Sequence, residues 1–153
     1  MRASTIVLIA SLLITSCCSH AMSSSGSSPT DDARNLQGTW KFTGGTYDGD
    51  PIPQESARWI FEGDSVTVMA QGSQEKSQFK LGTTGPNTIW VKHHDNPLAS
   101  KGFIGGTLTG IYELSGDNLR LCYDLTGQQY PKTFDAKKGS RKIVYELERE
   151  KSR

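Results

Sequence analysis

His93-His94-Asp95 is the histidine cluster most able to bind metal or carry protons. Adjacent residues on a strand point to opposite faces, so His93 and His94 do not readily share one ion there. At a strand end the geometry relaxes, and His94 and Asp95 could ligate together. A zinc site needs three or four ligands, and no further partner stands at a helpful spacing. The expectation is a solvated strand end, with no metal and no cofactor. Cys122 lies between Leu121 and Tyr123 and shares a face with Arg120 and Asp124. A cation would lower its pKa, but no histidine base is near in sequence, so a wall residue is expected. Glu113, Arg120 and Asp124 read as a charged outer face whose cross-strand pairs are worth a fraction of a kcal/mol each. Gly102-Phe103-Ile104-Gly105-Gly106 is glycine-rich, yet it lacks the lysine and the strand–loop–helix setting of a phosphate cradle. No catalytic residue emerges, and the chain is not expected to be an enzyme.

The aromatic residues carry the other candidate chemistry. Trp40, Trp59, Phe61, Phe79, Tyr112 and Tyr123 fall on the apolar faces of their segments. They either line a ligand cavity or fill a solid core, since an eight-stranded barrel sits near the size where both occur. Trp90 falls on the opposite face with Lys92. If exposed, it marks an interaction patch.

The elements that must position these groups read as strands. Trp40 and Phe42 alternate with polar neighbours, as do Trp59 with Phe61 and Val66 with Val68. Phe79 with Leu81, Ile89 with Val91, and Ile143 with Tyr145 and Leu147 repeat the pattern. A side-chain period of two marks a half-buried strand. Gly110–Asp124 is the clearest case: Tyr112 and Leu114 share a face, as do Leu119, Leu121 and Tyr123. Ser115-Gly116-Asp117-Asn118 between them reads as a four-residue hairpin loop. Turns are also expected at Tyr47–Asp50, Gly63-Asp64 and Gln71–Gln74. A helical turn is expected over Asp31–Asn35, with Asp31 as cap, and a short helix from Pro53. Gly44-Gly45 is expected to weaken or bend the first strand.

About eight strands joined by short turns predict an all-β fold. Sequential hairpins favour a single antiparallel up-and-down, lipocalin-like barrel, because closure removes the sheet edges. A β-sandwich is the alternative. Sixteen glycines and six prolines suit such a turn-rich domain.

Composition narrows the function classes. The 17 Lys+Arg and 16 Asp+Glu of the 153 residues nearly balance. No basic face for nucleic acid is indicated. Three cysteines, two of them adjacent at Cys17-Cys18, make no disulfide framework.

The N-terminus reads as an address. Met1-Arg2 is a short positive region and Ile6–Ile14 an apolar one, too short to span a bilayer permanently. Ile14-Thr15-Ser16-Cys17 then resembles a bacterial lipobox. That resemblance implies cleavage before Cys17 and lipidation of its thiol, with the several acyl chains that stable attachment needs. The expected organisation is a signal peptide over 1–16, a lipidated Cys17 and Ser-rich tether over 17–30, and a barrel domain over 31–153. The implied location is exported and membrane-anchored, in the outer membrane or at the periplasmic face. An ordinary signal cleaved near His20-Ala21-Met22, giving a soluble secreted protein, is the alternative.

Four motifs in order carry a wider resemblance: Leu36-Gln37-Gly38-Thr39-Trp40, Asp48-Gly49-Asp50-Pro51-Ile52-Pro53, Ile60–Thr67 and Gly110–Cys122. Pro131–Ala136 fits a closing motif. Together they resemble an uncharacterised, lipocalin-like small secreted domain abundant in Planctomycetes. The resemblance covers most of residues 34–150 and implies a fold and an envelope setting. It brings no activity. The expected protein is a non-catalytic envelope lipoprotein that binds a small apolar ligand in its barrel. The alternative is an interaction or structural module of the envelope, using the outer face around Trp90 and Arg120.

Overall fold

Trp40 and Phe42 are buried while Lys41 and Thr43 are exposed, and this alternation recurs around the chain. It follows from the pleat of a strand whose two faces meet core and water. The computed structural model describes residues 29–53, 56–83, 87–93 and 106–151. Over these the order is α1 (Pro29–Asn35), β1 (Gly38–Tyr47), β2 (Asp50–Pro51), β3 (Arg58–Glu62), β4 (Ser65–Ala70), β5 (Ser73–Leu81), β6 (Thr88–His93), β7 (Thr107–Ser115), β8 (Asn118–Asp124) and β9 (Lys142–Arg149). Cys17 and Cys18, His94, Asp95 and the 102–105 stretch lie outside the described residues.

From β3 to β9 each strand pairs antiparallel with the next, and β1 pairs with both β3 and β9. The eight strands β1 and β3–β9 therefore form a closed up-and-down barrel, and β2 is a two-residue addition to β1. The all-β barrel expected from the sequence is the fold, and the sandwich alternative is set aside.

Several details differ from the sequence-based reading. The helix begins at Pro29, which puts Asp31 in its first turn rather than at its cap. Ser73 and Gln74 pair with Ala70 and Met69, so β5 starts earlier than expected. The turn there is only Gln71-Gly72, both with positive φ, as a two-residue hairpin matching the strand twist requires. Ser115 pairs with Asn118, which shortens the later loop to Gly116-Asp117. Asp50-Pro51 pairs with Tyr47-Thr46; Gln54 and Glu55, within the stretch read as a short helix, lie outside the described residues.

Gly44-Gly45 does not end β1. The register against β9 slips between Phe42, opposite Leu147, and Gly44, opposite Glu146. Thr43 is the extra residue of this bulge, and its Oγ1 donates to the Glu146 carbonyl at 2.9 Å. A bulge bends its strand and sharpens the twist. That lets β1 serve two neighbours. A Cβ on Gly45 would lie 2.4 Å from the Val144 carbonyl oxygen, so this close approach requires glycine.

One end of the barrel is sealed. Trp40 is fully buried and its Nε1 donates to the Leu36 carbonyl at 2.8 Å. The Arg149 guanidinium lies 4.1 Å from the centre of the Trp40 ring. Its Nη1 donates to the Gln37 carbonyl at 2.7 Å, and its Nη2 donates to the Asn35 carbonyl. A cation over an indole contributes about 0.5–2 kcal/mol. Helix α1 is fastened from inside, where the Tyr112 hydroxyl donates to Asp32 Oδ2 at 2.7 Å and both side chains are buried. Burial, and then the Asp32 bond, push the Tyr112 phenol well above its ordinary pKa.

Above this seal the interior is one apolar cluster that includes Phe42, Trp59, Phe61, Phe79, Leu121 and Tyr123. Phe61 and Phe79 meet edge to face at 5.1 Å, a favoured aromatic geometry. Outside the wall, Ile111, Cys122, Ala136 and Val144 make a second small cluster, with Phe134 packed on it.

The buried tyrosine–aspartate bond gives a direct test. Tyr112→Phe removes one donor from a buried carboxylate and should cost about 1–3 kcal/mol. A lower urea midpoint at an unchanged slope is the expected result. An unchanged midpoint would show that the bond does not secure the helix.

Candidate functional site

The end of the barrel opposite Trp40 holds a cavity of about 860 Å³. Pockets for small organic ligands run to about 300–1,000 Å³. The strand directions explain which residues reach it. The last turns of β1, β4 and β8 and the first turns of β3, β5, β7 and β9 converge at this end. They supply Tyr47, Ala70, Leu125, Trp59, Ser73, Leu108, Ile143 and Tyr145 to the lining. Ile52 and Pro53, just beyond β2, lean in from the rim.

The six aromatics singled out from the sequence are all buried inside the barrel. Among them only Trp59 lines the cavity; Trp40, Phe61, Phe79, Tyr112 and Tyr123 pack below it. Phe42, Tyr47 and Tyr145 are the aromatics that join Trp59 in the lining, with Phe42 and Tyr145 beside it. Trp59 and Tyr145 are 4.9 Å apart between ring centres, and Phe42 meets Trp59 at 6.1 Å. These three rings form the cavity floor's aromatic edge. Tyr123 is held out of the cavity by its fit against Gly110. A Cβ there would lie 2.5 Å from the Tyr123 ring.

One polar group faces inward, and the sequence pattern alone does not assemble it. Glu75, Ser77 and His93 share the inner face with Phe79 and Val91, because Ser77 pairs with His93 and Glu75 with Val68. Ser77 Oγ lies 2.9 Å from His93 Nδ1, and Glu75 Oε1 contacts the same nitrogen. A carboxylate at Nδ1 fixes the neutral ring as the Nδ1–H tautomer. Nε2 of that tautomer is an acceptor; it is buried and has no hydrogen-bond partner among the described residues. A nucleophilic triad needs serine on one ring nitrogen and carboxylate on the other. Here both sit on Nδ1, so the ring does not activate Ser77. The period-two pattern held the signal: Glu75 and Ser77 are in step with Phe79 and Leu81, and His93 with Val91.

The remaining candidates have plain placements. Among the described residues no group of three or more His, Cys, Asp or Glu could hold a metal ion. Glu113 and Arg120 pair on the outer face at 3.2 Å, and Arg120 also lies 4.8 Å from the centre of the Phe134 ring. Asp124 turns away from them and accepts from the Thr126 amide at 2.7 Å. Trp90 is half-buried on the outer face, with the Lys80 ammonium 5.5 Å from its ring centre. Cys122 is free and fully buried beneath the 127–139 connection. Burial pushes its thiol pKa up, and Lys142 offsets this only in part.

The fold and cavity define a small closed β-barrel with one sealed and one open end. No family model matches the chain, and no curated protein matches it. Among solved structures, an uncharacterized protein from Bacteroides eggerthii DSM 20697 resembles it at 16% identity and a TM-score of 0.45. The match covers 74% of this chain and 98% of the other. Among the described residues no helix is long and apolar enough to cross a membrane.

Burial of Cys122 has a measurable consequence. The thiolate is the reacting form, so a raised pKa and a covered sulfur both slow alkylation. Iodoacetamide labelling, followed on the peptide that contains Cys122, should be at least about tenfold slower in the native protein than in denaturant. Equal rates would mean that the 127–139 cover does not hold.

Proposed function

We propose that this protein is a non-catalytic binding protein that carries a small, largely apolar ligand in the open end of its barrel. The observation behind this reading is the 860 Å³ cavity, walled by Trp59, Val68, Leu108, Leu125, Ile143 and Tyr145. Such walls offer an apolar ligand roughly 25 cal/mol for each Å² removed from water. The barrel is filled solidly from Trp40 up to Phe42 and Trp59 and then left open. A barrel built only for stability gains by filling that space too.

The lipobox-like Ile14-Thr15-Ser16-Cys17 supports a setting for this activity. In it, the chain is exported, cut before Cys17 and anchored to an envelope membrane by acyl chains on that residue. The barrel is then a tethered carrier.

Two measurements test the two halves of the reading. The purified protein should enhance the fluorescence of the neutral probe N-phenyl-1-naphthylamine. Ala70→Phe, which pushes a ring into the cavity, should weaken that binding about tenfold, or roughly 1.4 kcal/mol, with little change in melting temperature. A parent protein that leaves the probe dark would remove the carrier reading. Separately, Cys17→Ala should move the protein from the membrane fraction to the soluble fraction in a bacterial host. Unchanged fractionation would refute the anchor.

A further inference from the structure

Asp50 stands at the cavity rim and is the one charged residue among the described lining residues. Glu75 is not itself in the lining but stands next to residues that are. Ser73, two residues earlier on the same face of β5, lines the cavity, and so does Val68, directly opposite Glu75 on β4. Across the interior, Tyr145 also lines it, and burial, followed by the Glu75 charge, pushes the Tyr145 hydroxyl pKa up. Three cavity residues thus surround the Glu75 side chain, which keeps about 34% of its surface exposed. Beside it, His93 Nε2 is buried and has no hydrogen-bond partner among the described residues. Buried polar atoms in folded proteins are nearly always satisfied. The carboxylate and the bare ring nitrogen both accept hydrogen bonds, and neither can be matched by another acceptor.

Resting on the carrier reading above, we propose that the cavity is built for a cationic amphiphile: a protonated amine on an aliphatic tail. The ammonium sits at Glu75, with the Ser77–His93 pair completing a polar corner. The tail lies along Val68, Ala70, Leu108 and Ile143 toward the rim. An ammonium carries three donors and no acceptor, which suits a site made of acceptors. A carboxylate head group would instead meet Glu75 and Asp50 as like charges, and such unmatched charge is how a site excludes the wrong ligand.

Calorimetry with decylamine, decanol and decanoate at neutral pH, below their aggregation limits, separates the tail from the head. The amine should bind at least about tenfold more tightly than the carboxylate, the scale of a hydrogen bond to a charged group. Glu75→Gln should bring the amine to the level of the alcohol and leave the alcohol within about twofold of its parent value. Equal binding of amine and carboxylate, or an amine preference that survives Glu75→Gln, overturns the head-group assignment while the carrier reading stands. If none of the three ligands binds, the carrier reading fails and takes this assignment with it.

Discussion

Everything in this barrel depends on the seam where the first strand meets the last. β1 must pair with β3 on one side and β9 on the other, or the sheet opens and exposes two edges. The stack of Arg149 on Trp40 holds that seam. Trp40 belongs to β1 and Arg149 to β9, and the guanidinium reaches beyond both to the carbonyls of Gln37 and Asn35. One cation and one indole therefore join the first strand, the last strand and the end of the helix. The Thr43 bulge is the geometric counterpart, since it lets β1 bend between its partners.

The seal also sets the barrel's polarity. With Trp40, Leu36 and the Asp32–Tyr112 bond packed at one end, large side chains have no room for a ligand there. Along β1 the bulky Trp40 and Phe42 give way to Gly44 and Gly45 before Tyr47 ends the strand at the rim. Ala57, Ala70 and Ser73 are small lining residues at the open end. Glu75, Ser77 and His93 sit beside this space, part of the way down the axis.

Much of this was legible in the sequence, and the limits have physical causes. Period two shows which face a residue takes, so the inward set Trp40, Trp59, Phe61, Phe79, Tyr112 and Tyr123 was readable. Depth along the axis was not, because it depends on strand tilt and on registers such as Val91 opposite Phe79. Only Trp59 of that set reached the cavity. The helix start and the Ser73-Gln74 pairing were missed where short polar stretches look like turns, while the bend expected at Gly44-Gly45 takes the form of the bulge at Thr43. His93 invited a comparison with its sequence neighbours His94 and Asp95. Its contacts are instead Ser77 and Glu75, 16 and 18 residues away. Strand pairing creates such groupings, and local spacing cannot display them.

Arg149 touches the carbonyl of Asn35, so the two ends of the barrel's chain lie side by side at the sealed pole. A closed ring of strands whose ends adjoin has no privileged starting strand. The same circle could be cut at another hairpin and rejoined here, because packing at Trp40, and not chain order, defines where the ring closes. Among the described residues the opposite rim carries β2 and connections such as Gln71-Gly72. Such connections can lengthen or diverge without reaching the seam, so the rim can vary while the closure stays the same.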